Sequence, residues 1–184
     1  MTEPGDAAAG HGPAGHDHEA AEDPVRDLSR LQEIADLRLT SPEVDAILQE
    51  VAAEAARALG LPISLVSVVL DEAQFFAAAH GLDGWMAAAR GTPVEWSFCA
   101  NAVRSGEPFV VEDAHVHPVV RDNPLVTEGG IRCYAGIPLV SSRGYALGTL
   151  CVIGTERRTF GTEELDLLRS LARTAIARIE QRRA

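Results

Sequence analysis

Lysine is absent from this sequence: all sixteen basic residues are arginines, and 27 acidic residues bring the net charge to −11. Six of the acids lie within the first 24 residues, which leaves 21 acids against 16 arginines, a charge of −5, for the rest of the chain. Proteins that bind nucleic acids through their phosphates present a basic surface. We therefore expect no nucleic-acid partner.

Cysteines and long apolar runs are also scarce. The three cysteines form no CxxC pair, which indicates neither a disulfide framework nor a zinc site. No stretch of 18 consecutive apolar residues occurs, and the N-terminus has neither the basic nor the apolar region of a signal peptide. These absences predict a cytoplasmic protein with no membrane partner.

The first 23 residues consist mainly of Gly, Ala, Pro, acids and histidine. Such a composition cannot bury a core, so we expect a disordered acidic tail over residues 1–23 and a single domain over residues 24–184. His11, His16 and His18 leave transition-metal binding as an alternative to a simply solvated tail.

Three amphipathic helices are predicted at the two ends of this domain. The first begins at Pro24, with Asp23 as its N-cap. The second is capped by Ser41 and ends at Gly60, with apolar residues at i, i+3, i+4 and i+7 spacing between them. The last is capped by Thr162.

Strands are predicted in the middle of the chain, over residues 63–70, 74–79, 108–112, 131–140 and 145–153. A short helix over residues 98–105, capped by Ser97, and two loops over residues 81–95 and 113–130 separate them. Short turns between strands favour an antiparallel sheet with helices gathered on one face. The pattern therefore predicts an α+β fold.

Five stretches, in this order, resemble the GAF domain family, the small-molecule sensory modules of signalling proteins. They are Trp-Ser-Phe-Cys-Ala-Asn-Ala-Val at 96–103, Val-Val-Glu-Asp-Ala at 110–114, Asn-Pro-Leu-Val at 123–126, Ile-Arg-Cys-Tyr-Ala-Gly-Ile-Pro-Leu at 131–139 and Leu-Gly-Thr-Leu-Cys-Val-Ile at 147–153. The resemblance runs from Arg30 to Glu180 and implies a ligand-binding regulator in signal transduction. The sequence departs from the related subgroup at Cys133, where Phe is usual, and at Gly154, where Asp is usual.

A ligand pocket is expected on the sheet face opposite the terminal helices, between the helix at 97–105 and the loop at 113–130. The expected lining residues are Phe98, Asn101, Asp113, Asn123, Arg132 and Tyr134. The planar guanidinium of Arg132 suits a carboxylate or a phosphate. Asp113 and Asn123 equally suit hydrogen bonds to the loop's own backbone. Neither the ligand nor a cofactor can be named from these residues.

The resemblance also includes one enzymatic branch, the free methionine-(R)-sulfoxide reductases, in which a thiolate attacks the sulfoxide. Cys99 matches one cysteine of that branch, and its place at a helix start favours the thiolate. The catalytic cysteine of the branch lies in the long loop, and residues 114–130 contain no cysteine. We therefore expect that the chain is not an enzyme and keep a thiol-dependent reductase as the alternative.

A haem-based sensor is a further alternative, through His80, His115 or His117, although a loop histidine is more often solvated. Covalent attachment of a bilin needs a cysteine followed by histidine, and none of the three cysteines has this neighbour. Because the GAF-like sequence takes up most of the chain, we expect its signal to pass to a separate partner protein or through a homodimer.

Wide apolar stripes on the first and last helices favour the homodimer. The stripes contain Leu28, Leu31, Ala35 and Leu39 at one end and Leu165, Leu168, Ala172, Ala175 and Ile179 at the other. A helix that packs on one sheet needs a single apolar face, so a wider stripe predicts a second buried surface, most simply in a twofold dimer. The alternative is helix-on-helix packing within one chain.

The cysteines are predicted to be three free thiols. A four-residue turn at 141–144 pairs Val140 with Tyr145 and therefore Cys133 with Val152. Cys133 and Cys151 then lie on opposite faces of the sheet, where they cannot form a disulfide.

Overall fold

The computed structural model describes residues 22–43 and 45–183, so the predicted tail up to residue 21 lies outside the described residues. In the described part, strands span Ile63–Val69 (β1), Ala73–His80 (β2), Gly91–Pro93 (β3), Phe109–Val111 (β4), Cys133–Val140 (β5) and Ala146–Gly154 (β6). They form one antiparallel sheet in the order β3-β2-β1-β6-β5-β4. The predicted α+β class is confirmed.

The α-helices span Leu28–Asp36 (α1), Ala46–Leu59 (α2), Gly84–Ala89 (α3), Cys99–Ser105 (α4), Pro124–Thr127 (α5) and Thr162–Glu180 (α6). Asp23 caps a 3₁₀ turn, Pro24–Arg26, and Asp27 caps α1, so the helix predicted from Pro24 is divided in two. The buried guanidinium of Arg30 in α1 donates hydrogen bonds to the carbonyl groups of Val25, at 2.6 Å, and Val69, at 2.8 Å. These bonds fix the start of the domain against the end of β1.

The second helix begins later than predicted. Asp45, not Ser41, is its N-cap, because one carboxylate oxygen of Asp45 accepts hydrogen bonds from two backbone N–H groups of the first turn, at 2.9 and 3.1 Å. The other oxygen accepts bonds from Arg178 and Arg182 of α6, at 2.9 and 3.0 Å. The cap therefore also joins α2 to α6. Gly60 ends the helix at a φ of 62°, as predicted.

The sheet carries a separate apolar layer on each face. Helices α1, α2 and α6 cover one face, and α4, α5 and the connecting segments cover the other. Alternate residues of β1 and β6 supply the two layers: Val66, Val68, Leu150 and Val152 to the first, and Leu65, Val69, Cys151 and Ile153 to the second. Since both faces are covered, these central strands are apolar at successive positions.

The apolar stripe of α6 is largely buried within the chain. Its residues Leu168, Leu171, Ala172, Ala175 and Ile179 all belong to the core between the helices and the sheet. Leu28 of α1, in contrast, is 80% exposed. Packing within one chain thus explains most of the width of the stripe, and the homodimer stays a prediction.

Both segments predicted as loops contain short regular elements. Residues 81–95 contain α3 and β3. Strand β3 pairs with β2 so closely that a side chain at Gly91 would collide with the Gln74 carbonyl group. Residues 113–130 hold α5, whose N-cap Asn123 accepts a hydrogen bond from the Leu125 N–H at 2.9 Å. These elements depend on contacts with distant strands, so local sequence spacing does not reveal them.

The pairing of β5 with β6 differs from the predicted register. Val140 pairs with Ala146 across a five-residue turn, and an irregularity just before Val140 shifts the register by one more residue. Cys133 therefore pairs with Gly154, two residues later than predicted. Because the two shifts together are even, Cys133 and Cys151 still lie on opposite faces, and all three cysteines are free in the structure.

Candidate functional site

A small apolar cavity lies on the face of the sheet opposite α1, α2 and α6. Its volume is about 60 Å³. Strands β1, β2, β5 and β6 form its floor, while α3, α4 and the segment around α5 form its walls. It is lined by Ile63, Leu65, Gln74, Phe76, Leu82, Met86, Thr92, Phe98, Cys99, Leu125, Gly129, Ile131, Tyr134, Ile153 and Thr155. Gly129 and Thr155 are exposed, so the cavity reaches the surface at that side.

Few polar side chains line this cavity, and one of them lacks a partner. The Gln74 side-chain oxygen accepts a hydrogen bond from the Ser97 hydroxyl. Thr92 is 5% exposed, and among the described residues its hydroxyl has no hydrogen-bond partner. A buried hydroxyl is normally satisfied by protein, water or ligand. Thr92 is therefore a polar contact point available to a molecule in the cavity.

A cluster of thiol and hydroxyl groups lies beside the cavity, which two of its members, Cys99 and Tyr134, line. The Cys99 and Cys151 sulfur atoms lie 3.9 Å apart, and the Tyr134 hydroxyl donates to the Cys99 sulfur at 3.2 Å. The hydroxyl groups of Ser67 and Thr149 lie 3.2 Å from each other in the same region. All five side chains are buried. We call these five residues the thiol–hydroxyl cluster.

The two thiols of the cluster differ in pKa. Burial raises the pKa of Cys99, but hydrogen bonds from Cys151, Ser67, Thr149 and Tyr134 outweigh burial and bring the pKa to about 6. The hydrogen bond to Cys99 and burial raise the pKa of Cys151 well above its usual value. Cys99 is therefore the more acidic of the two thiols.

Gly136 makes room for Tyr134 in this cluster. It follows Tyr134 by two residues on the same strand face, and a side chain on Gly136 would collide with the Tyr134 ring and hydroxyl. Gly136 also pairs directly with Cys151 across β5 and β6. The Tyr-Ala-Gly sequence therefore places the phenol over the strand pair, where it reaches Cys99.

Two of the six predicted site residues line the cavity, namely Phe98 and Tyr134, whose rings lie 5.3 Å apart. Asn101 and Asn123 do not line it. The Asn101 side-chain amide donates to the Phe98 carbonyl, and that of Asn123 donates to the Trp96 carbonyl while Asn123 caps α5. Both amides satisfy nearby backbone groups, so they position the walls.

Asp113 and Arg132 also lie outside the cavity lining. They form a two-pronged ion pair, with nitrogen–oxygen distances of 2.7 and 3.1 Å. Hydrogen bonds from Arg132 lower the pKa of Asp113 to about 2. The guanidinium expected to bind an anionic ligand is thus occupied by a neighbouring carboxylate, and the pair connects the start of the long loop to its end.

The histidines proposed for a haem also lie away from the cavity lining. His80 ends β2, His115 and His117 lie in the segment after β4, and the ring of His117 packs edge-on against Phe109 at 5.6 Å. The tail histidines lie outside the described residues. The sequence analysis did not single out Gln74, Thr92 or Cys151 as site residues. Gln74 and Cys151 stand in predicted strands, and Thr92 lies within the predicted loop over residues 81–95, where no motif marks it.

The profile of the GAF domain family matches residues 43–179. The chain belongs to this family. Solved structures agree with it in fold: the GAF domain of a phosphoenolpyruvate-protein phosphotransferase from Coxiella burnetii has a TM-score of 0.61 at 21% identity, covering 86% of this chain and 96% of that one. A free methionine-R-sulfoxide reductase from Neisseria meningitidis, solved with its substrate, has a TM-score of 0.60 at 22% identity, covering 80% and 86%.

A protein from Pseudomonas aeruginosa named cyclic di-GMP phosphodiesterase is 37% identical to this GAF domain over 163 residues. The match covers 88% of this chain, which spans about a quarter of the relative's length (27%). The expectation that the chain is not an enzyme is contradicted by these likenesses: the relative carries the name of an enzyme, and one of the structural neighbours is a reductase. Within the described residues, no helix is both long and apolar enough to cross a membrane.

Proposed function

We propose that this GAF domain is a small-molecule-binding sensory module in signal transduction. The observation that supports this proposal most is the unpartnered Thr92 hydroxyl on the wall of a largely apolar cavity. Binding sites for small molecules are typically apolar, with a few polar groups that fix orientation. Phe98 and Tyr134 supply aromatic surface to the same cavity.

The size of the cavity limits the ligand. Pockets that hold drug-sized ligands have volumes of about 300–1,000 Å³. The volume of about 60 Å³ is much smaller and therefore favours a small ligand. A nucleotide the size of cyclic di-GMP does not fit without movement of α3 and α5. We expect a compact, uncharged molecule that accepts or donates one hydrogen bond at Thr92.

The signal is proposed to act on the turnover of a second messenger. The supporting observation is the 37% identity to the protein named cyclic di-GMP phosphodiesterase. In this proposal the GAF domain senses the small molecule, and the phosphodiesterase reaction takes place on another domain or a separate partner protein. Communication through a homodimer is an alternative route.

Ligand identification tests the sensory role. The purified chain is extracted and analysed by mass spectrometry and an absorbance scan, and then screened by thermal shift against small alcohols, aldehydes, amides, amino acids and cyclic di-GMP. We expect a retained compound or a shift with a compact neutral compound. Absorption in the haem region would instead support the haem-based sensor.

A cavity variant and its matched control locate the binding. Met86 lines the cavity, so Met86→Trp fills it and abolishes the thermal shift. Ala88 lies exposed on the same helix, so Ala88→Trp leaves the shift unchanged. Equal shifts in both variants would contradict binding in the cavity.

A thiol-dependent methionine-(R)-sulfoxide reductase is the second candidate. It is favoured by the contact between Cys99 and Cys151 beside the cavity, at 3.9 Å. Its test is turnover of free methionine-(R)-sulfoxide with a dithiol reductant. We expect turnover to disappear in Cys99→Ser if the reductase is correct, whereas absence of turnover in the wild type removes this candidate.

A further inference from the structure

Cys99 and Cys151 approach each other from different elements of the fold. Cys99 is the first residue of α4, and Cys151 lies in the middle of the central strand β6, 52 residues later. Their sulfur atoms are 3.9 Å apart. We propose that these two residues are a peroxide-sensitive thiol pair that closes reversibly into a disulfide beside the cavity. This proposal does not rest on the sensory function described above.

The geometry requires only a small movement. A disulfide bond is about 2.05 Å long, so the sulfur atoms must approach by roughly 2 Å. Cys151 is fixed because β6 is paired on both sides, with β1 and with β5. Cys99 begins a helix of seven residues, α4, which packs against β5 and β6. The movement therefore falls on the side chain of Cys99 and the first turn of α4.

The surroundings favour a reactive Cys99. The groups that face its sulfur are the thiol of Cys151 on β6, the phenol of Tyr134 on β5, and the hydroxyls of Ser67 on β1 and Thr149 on β6. The Tyr134 phenol donates a hydrogen bond to the Cys99 sulfur, and donation to a thiolate stabilises the charged form. The lowered pKa of Cys99 agrees with this arrangement.

The oxidant can reach this pair through the cavity. Cys99 is 2% exposed to bulk solvent but lines the cavity, whose rim includes the exposed residues Gly129 and Thr155. Hydrogen peroxide has only two non-hydrogen atoms and fits the volume of about 60 Å³. Cys133 lies on the opposite face of the sheet and does not line the cavity.

The chemistry proceeds in two balanced steps. The Cys99 thiolate attacks one oxygen of hydrogen peroxide, the O–O bond breaks, and the leaving hydroxide takes up a proton to become water, which leaves a sulfenic acid on Cys99. The Cys151 thiol then attacks the sulfenic sulfur, a second water leaves, and the S–S bond forms. Overall, two thiols lose two electrons and two protons, and one peroxide is reduced to two waters. A dithiol reductant reverses the change.

Peptide mapping tests the pair in the full chain. The reduced protein is treated with hydrogen peroxide, its remaining thiols are alkylated, and the digest is analysed without reduction. We expect one intramolecular bridge between Cys99 and Cys151, an alkylated Cys133, and loss of the bridge with dithiothreitol. Cys133→Ser is the matched control and gives the same bridge. Two thiols that stay free in the folded protein, or a bridge that involves Cys133 or a second chain, would overturn the proposal.

Two variants separate a specific reaction from chance proximity. In Cys151→Ser the second step is blocked, so a 1,3-dione reagent traps the sulfenic acid at Cys99. In Tyr134→Phe the hydroxyl that donates to Cys99 is removed, so oxidation at neutral pH slows by about tenfold and its pH profile moves upward. An unchanged pH profile in Tyr134→Phe contradicts the stabilised thiolate, and a peroxide-treated Cys151→Ser protein that carries no trapped sulfenic acid at Cys99 contradicts the assigned order.

Discussion

Replacing Thr92 by valine tests whether the cavity contains a hydroxyl group that has no hydrogen-bond partner in the absence of a ligand. The two side chains have nearly the same shape, so the change removes the hydroxyl and leaves the packing of β3 intact. The Thr92 hydroxyl is buried without a partner in the described structure. A buried, unsatisfied polar group costs about 1–3 kcal/mol. The ligand-free Thr92→Val protein is therefore more stable to unfolding by about 1 kcal/mol.

The same chemical change at Thr149 has the opposite sign. Thr149 is fully buried on β6, and its hydroxyl lies 3.2 Å from that of Ser67. Thr149→Val leaves the Ser67 hydroxyl buried without this partner, which lowers the free energy of unfolding by about 1–2 kcal/mol. The two variants thus form a matched pair in which only the hydrogen bonding of the lost hydroxyl differs.

Urea unfolding at equilibrium measures both variants. The proteins are first unfolded and refolded into ligand-free buffer, so that a retained compound does not mask the effect. We expect the transition midpoint to rise for Thr92→Val and to fall for Thr149→Val, with unchanged slopes. A fall of about 1 kcal/mol or more for Thr92→Val, the size of one hydrogen bond, would refute the reasoning because it would mean that the hydroxyl is already satisfied.

Three further predictions concern the helical layer. Asp45→Ala removes both the N-cap of α2 and the two bonds to α6. We expect urea unfolding to show that the free energy of unfolding falls by about 3 kcal/mol. This loss is about 1 kcal/mol larger than for Asp45→Asn, which keeps a capping oxygen. Burial raises the pKa of Asp45, but its hydrogen bonds outweigh burial and leave the pKa below its usual value. The stability that the carboxylate contributes is therefore present above about pH 4 and is lost as the pH falls through the lower folded-state pKa. In unfolding curves measured down to acid pH, the free energy of unfolding should fall less steeply for Asp45→Asn than for the wild type, and parallel falls would contradict this. Light scattering should give about twice the chain mass of 19.6 kDa for the predicted homodimer. The substitution Ile176→Glu, at a half-buried position of α6, should dissociate the dimer, while Thr174→Glu, at an exposed position, leaves it intact. A monomeric wild type would contradict the predicted dimer.

The elements that the sequence predicts well are those with strong local patterns. The apolar pattern of α2 ends at a glycine in the left-handed conformation. The β-branched run that forms β1 lies in the middle of a sheet whose two faces are both covered. In both elements the local preference and the tertiary packing therefore agree. The start of α2 was misplaced because Ser41 satisfies the same local rule as Asp45. Only the contacts of Asp45 with Arg178 and Arg182 of α6 decide between them.

The candidate site was harder to predict because its residues meet only in three dimensions. Asp113 and Arg132 are polar and lie at the edge of the long loop, which favours a ligand contact, but the fold brings them together and they bind each other. Cys151 stands in an apolar strand, where its sequence context indicates only a core residue. Its contact with Cys99 arises because α4 packs across β6, and no local pattern encodes that crossing.

Calorimetric titration of the compound found by extraction or screening tests the sensory role most directly. The protein is titrated as the wild type, as Met86→Trp and as the surface control Ala88→Trp. The account predicts one bound molecule per chain in the wild type and in Ala88→Trp, and an affinity lower by at least about tenfold in Met86→Trp, which corresponds to about 1.4 kcal/mol. Equal affinity in all three proteins, or a chain that retains no compound and responds to none, would contradict the claim that this cavity binds the ligand.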